Sequence, residues 1–67
     1  MKVIDLLGII PKTTMITLVN ANDRLIYRGN AGDLTAKELP KTCNSNVVTI
    51  MEVNENDLKI LIELYKQ

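Results

Sequence analysis

The chain has 67 residues, with eight lysines and arginines balanced by eight aspartates and glutamates, one cysteine, and no histidine, tryptophan or phenylalanine. That length allows one small domain, and this composition excludes an intrachain disulfide, a histidine-activated nucleophile and a usual structural zinc site. Charges of both signs alternate along the chain, so no basic block is available to collect phosphates.

The apolar content of 46% belongs to a globular protein. A core this small seldom supplies more than ~3–5 kcal/mol, and without a disulfide or metal the remaining reinforcement is self-association. No stretch reaches the roughly 20 apolar residues of a spanning helix. Asp5 interrupts the opening apolar run, which reads poorly as a secretion signal. A lone cysteine suits a reducing compartment, so a soluble cytoplasmic protein is expected.

Val3, Leu6, Leu7 and Ile10 follow the spacing of one helical face. Asp5 favours the helix start through the dipole, and Pro11 ends the helix. Met15 to Val19 is rich in β-branched residues and predicts a strand. Asn20-Ala21-Asn22-Asp23 is turn chemistry, and Arg24 to Arg28 predicts the returning strand of a hairpin. Alternation puts Arg24, Ile26 and Arg28 on a wet face and Leu25 and Tyr27 toward the core.

Gly29 to Gly32 breaks that strand. Asp33 is the expected N-cap of a short helix through Leu34 to Leu39, closed by Pro40. Lys41 to Asn46 reads as a polar loop, and Val47 to Val53 as a third strand. The last segment fits two periods. Leu58, Leu61, Ile62 and Tyr65 make a helical stripe, whereas Leu58, Ile60, Ile62 and Leu64 make a strand. Apolar alternation and the strand just before it favour a strand. An even turn, pairing Val53 with Leu58 and placing Met51 beside Ile60, avoids setting Glu52 against Leu58. The expected fold is α+β: two β-hairpins forming a four-stranded antiparallel sheet, with a short N-terminal and a short middle helix on one face, in the order α-β-β-α-β-β.

Chemistry-bearing motifs are sparse. Cys43 has only Lys41 nearby in sequence as an activating cation, and a free, incidental thiol explains it better than a nucleophile. Scattered carboxylates suit turns and surfaces more than paired glycoside chemistry. Gly29-Asn30-Ala31-Gly32-Asp33 lacks the full phosphate-binding fingerprint, and Asp33 would repel an anion. Arg24 and Arg28 form a thin basic stripe, and Tyr27 and Tyr65 are the only aromatics, which is little for nucleic acid.

The positive signal is apolar surplus. With Ile16, Leu18, Leu25, Tyr27, Ile60, Ile62 and Leu64 on one sheet face, the other still carries Thr17, Val19, Ile26, Leu61 and Tyr65. A sheet with one wet face alternates more cleanly than that. The second face is therefore expected to be a contact surface of Ile26, Leu61 and Tyr65 rimmed by Arg24 and Arg28.

Met1 to Leu7 with Pro11, Leu25 to Gly29, Ala31 to Leu34 and Val47 to Leu64 together resemble a type of small uncharacterised protein of phages and prophages of Gram-positive bacteria. That type opens on a Met-Lys-Val/Ile-x-Asp-Leu-Leu helix and continues with a Leu-Ile-Tyr-Arg/Lys-Gly strand, an Ala-x-Asp-Leu helix and a closing hairpin. The resemblance implies a terminal strand and an accessory role, such as binding and modulating a host protein, and carries over no catalytic or ligand residues. The leading expectation is a non-enzymatic protein without cofactor or metal, acting by protein–protein contact as a homo-oligomer. The alternatives are a protein that sequesters a small molecule or nucleotide between subunits, using Arg24 and Arg28, and a weak nucleic-acid accessory.

Overall fold

A computed structural model describes residues 1–63. The elements are α1 (Val3–Leu7), β1 (Met15–Val19), β2 (Leu25–Asn30), a single 3₁₀ turn (Ala31–Asp33), α2 (Pro40–Cys43), β3 (Val47–Asn54) and β4 (Asp57–Ile62). The fold is α+β with one four-stranded sheet. No helix among the described residues is long and apolar enough to cross a membrane.

The two expected hairpins form, but they join differently. The strand order is β2-β1-β4-β3, and β1 runs parallel to β4, so the sheet is mixed and not antiparallel throughout. Burial explains the choice. Ile16 and Leu18 of β1 and Ile60 and Ile62 of β4 are all fully buried, and they gain most from central positions. The strand with Arg28 goes to one edge. A parallel neighbour needs a crossover long enough to return along the sheet, which residues 31–46 supply.

That crossover differs from the expected middle helix. Residues 34–39 are not helical; the chain makes its 3₁₀ turn before them and α2 after them. Asp33 ends the 3₁₀ turn instead of capping a helix, and Pro40 opens α2 instead of closing one. Proline is well suited to a first helical turn, where its missing N–H would have no partner. Leu34 and Cys43 are thereby buried against Val3 and Leu6 of α1, on the same sheet face. In α1 the Asp5 carboxylate accepts the Lys2 N–H at 3.0 Å.

Asn20 fixes the first hairpin. Its buried side-chain Oδ1 accepts the N–H groups of Asn22 and Arg24 at 3.0 and 3.1 Å. The turn also holds Asp23 at φ 58°, a geometry that aspartate tolerates. On leaving the turn, the pairing jumps from Val19↔Leu25 to Leu18↔Tyr27, so Ile26 is bulged out of register. The bulge changes the expected facing at Leu25 and Ile26, while Tyr27 packs against the core as expected. Leu25 is 56% exposed, whereas Ile26 packs against the core beside Tyr27. Tyr27 folds over Gly29, and its Oη donates to the Asn30 carbonyl at 2.9 Å.

The second hairpin has the expected even turn, Glu55-Asn56, but a different register. An irregularity at Val53 sets Glu52 opposite Leu58, Met51 opposite Lys59 and Ile50 opposite Ile60. Glu52 is exposed there; on an edge strand its carboxylate reaches water, so the anticipated cost of a buried charge does not arise.

Replacing Asn20 with alanine leaves two N–H groups without their acceptor and should cost about 1–2 kcal/mol, read by urea denaturation. Burial also pushes the Cys43 thiol up. The folded state therefore holds the thiol proton more tightly than the unfolded state does. Stability should be fully present below the unfolded thiol value of about 8.5 and fall as pH rises past it, with the thiol unreactive to aromatic disulfides until the chain unfolds.

Candidate interaction edge

The rear of the sheet, away from the helices, carries Thr17, Val19, Arg28, Asp57, Lys59 and Leu61 by strand alternation and register. It is not the apolar surface expected. Arg28 donates through Nη1 to the Thr17 hydroxyl and lies 3.7 Å from Asp57 Oδ2. Lys59 reaches Asp23 at 4.0 Å. These groups run as a polar band across the middle of the face.

The five residues read from the sequence as a contact surface are therefore dispersed. Arg28 and Leu61 share the rear face, with Leu61 half-buried beside Val19 and Thr49. Ile26 has turned into the core, and Arg24 sits exposed at the hairpin turn with its backbone bonded to Asn20. Tyr65, like Leu64, lies outside the described residues.

Exposed apolar side chains gather instead on β3. Val48 is 53% exposed, Ile50 42%, Met51 51% and Val53 59%, so β3 shows apolar groups on both sides. As the outermost strand, β3 pairs only with β4, and alternate N–H and C=O groups along it face outward. The start of that outer edge is occupied. The Val47 N–H donates to the Met1 carbonyl at 2.8 Å, the Val3 N–H donates to the Ser45 carbonyl at 3.0 Å, and Lys2 bridges Asn46 in antiparallel fashion. Beyond that cap, residues 48–54 are open among the described residues.

The two sheet edges differ in their defences. Lysine, proline, charge and bulges are the usual means of keeping an edge from pairing. The β2 edge has Arg28, the bulge at Ile26 and a glycine covered by an aromatic ring. On β3 the only charge is Glu52, though two irregularities, at Val48 and Val53, confine its regular stretch to Thr49 to Glu52. The sequence signal was present in Val47-Val48-Thr49-Ile50-Met51, an apolar run without alternation. Such a run ordinarily means a strand buried on both faces, so its exposure could not be foreseen without knowing that it lies at an edge.

No group of three or more cysteine, aspartate or glutamate residues among those described could hold a metal ion. Cys43 is fully buried and its thiol is pushed up by that burial, the reverse of an activated nucleophile. No protein-family model matches the chain, and no curated protein or solved structure matches it either.

Exposed edge and buried centre should respond oppositely to substitution. Met51→Lys should shift folding free energy by no more than about 0.5 kcal/mol. Ile60→Ala should cost about 2–5 kcal/mol, enough to unfold much of so small a domain at 25 °C. Denaturant melts of the two variants at low protein concentration check both.

Proposed function

We propose that this chain is a non-enzymatic binding protein that acts by protein–protein contact through the β3 edge. The single observation supporting this is the cluster of exposed apolar side chains Val48, Ile50, Met51 and Val53 on an outermost strand whose only charge is Glu52, uncovered among the described residues. An exposed strand edge offers main-chain hydrogen bonds for affinity and alternate side chains for selectivity. The resemblance to accessory proteins of Gram-positive phages favours a host protein as the target and the host cytoplasm as the place. Self-association is part of the same reading, since a core of this size gains from a second copy.

The sequestering alternative relied on Arg24 and Arg28 as phosphate ligands. The engagement of Arg28 with Asp57 and Thr17 argues against it, because an incoming phosphate would have to displace a carboxylate already in place.

Capture from a Gram-positive cell extract tests the contact reading when three versions of the chain are compared. The unaltered chain and Leu25→Lys, altered at the opposite edge, should retain the same proteins. Met51→Lys should recover them at least tenfold less well. Equal recovery by all three, or no retention by the unaltered chain, would reject the β3 edge as the working surface.

A further inference from the structure

Building on that contact reading, we infer that the occupant of the β3 edge is an extended segment of another protein that carries a lysine or arginine two residues from an apolar side chain. The backbone sets the frame. The Asn56 carbonyl, at the start of β4, accepts the Met15 N–H of β1, whereas the Glu63 N–H, at its end, donates to the Asn46 carbonyl beside β3. Successive residues of a strand turn their backbone groups to opposite sides, so the odd-numbered residues of β4 face β3. Lys59 is one of them, and Met51 opposite it therefore points its N–H and C=O inward. Ile50 and Glu52, on either side of Met51, turn theirs outward.

Those two residues offer the open hydrogen-bonding groups of the regular stretch Thr49 to Glu52. The irregularities at Val48 and Val53 confine pairing to that stretch, and Met1 to Val3 already occupy the edge at Ser45 to Val47. Four residues of strand span roughly 14 Å, so a short segment suffices.

The side chains then state what the segment must carry. Ile50 and Glu52 stand opposite Ile60 and Leu58, so both project on the helical side of the sheet, and both are exposed. A residue directly opposite in an added strand shares that face. The place opposite Ile50 favours an apolar side chain, and the place opposite Glu52 favours a cation. Glu55 in the adjoining turn sets a second exposed carboxylate at the same end of the strand. Neither glutamate belongs to the ion pairs among the described residues, which are Arg28 with Asp57 and Lys59 with Asp23. Lys59 does not serve Glu52, because it projects from the rear face opposite Met51. The chain's own β2 edge is no such segment, since its Arg28 is held by Thr17 and Asp57.

Four residues bury too little surface for tight binding, so the contact should be weak and reversible, and NMR titration of the intact chain reads it. The probe is a blocked seven-residue peptide of threonines with valine at its centre and lysine two places to either side. That symmetric arrangement presents the same groups in parallel or antiparallel pairing. The Ile50 and Glu52 amides should shift as the peptide reaches millimolar concentration, and the Leu18 amide should not. A peptide with glutamates in place of the lysines should bind at least tenfold more weakly. Glu52→Lys should reverse that preference and leave the circular dichroism unchanged.

Equal binding of the two peptides, or a preference that Glu52→Lys leaves untouched, would overturn the inference. If both peptides still shifted the Ile50 and Glu52 amides, the contact reading would stand and only the demand for a cation would be wrong. No shift within β3 from either peptide would also overturn the inference, and the Met51-dependent capture would then decide the contact reading by itself.

Discussion

The parallel pairing of β1 with β4 is the constraint on which the rest of the molecule depends. It places Ile16, Leu18, Ile60 and Ile62 side by side under the helices, each fully buried and each worth about 1.5–3 kcal/mol on removal from water. Once those strands take the centre, the hairpins can only lie outward, with β2 at one edge and β3 at the other. The connection over residues 31–46 must then return along the sheet, and in doing so it carries Leu34 and Cys43 onto the core.

The outer strands inherit their character from that arrangement. On the β2 side, an arginine, a bulge and a turn locked by Asn20 make a finished edge. On the β3 side, a strand apolar on both faces is left with one side against water. Among the described residues its outward backbone groups and its valine, isoleucine and methionine side chains meet solvent. The exposure of this edge follows from the packing of the centre.

Much of this was legible in the residues, and the failures have specific causes. The first helix, both hairpins and the closing strand follow from periodicity and turn chemistry around Asn20 and Asn54-Glu55-Asn56. The helix near Pro40 lies after it and not before it, because proline suits a first helical turn as well as it ends a helix. Leu25 and Ile26 exchanged faces because a bulge shifts strand alternation by one residue, and nothing in Arg24 to Arg28 announces one. The residue pattern points to the rear face as the contact surface, since pairing between hairpins cannot be read from the pattern within either. Once β4 lies next to β1, Arg28 meets Asp57 and the rear face becomes polar, while the unalternating Val47 to Met51 run emerges at the boundary of the sheet.

Amide hydrogen exchange followed by NMR at several protein concentrations tests this account most directly. At the lowest concentration the amides of Leu18 and Ile60 should exchange only through global unfolding, while the outward-facing amides between Val48 and Asn54 exchange quickly. Outward amides of β3 as protected as those of β1 in the most dilute sample would contradict it, because the edge would then already be covered within a single chain.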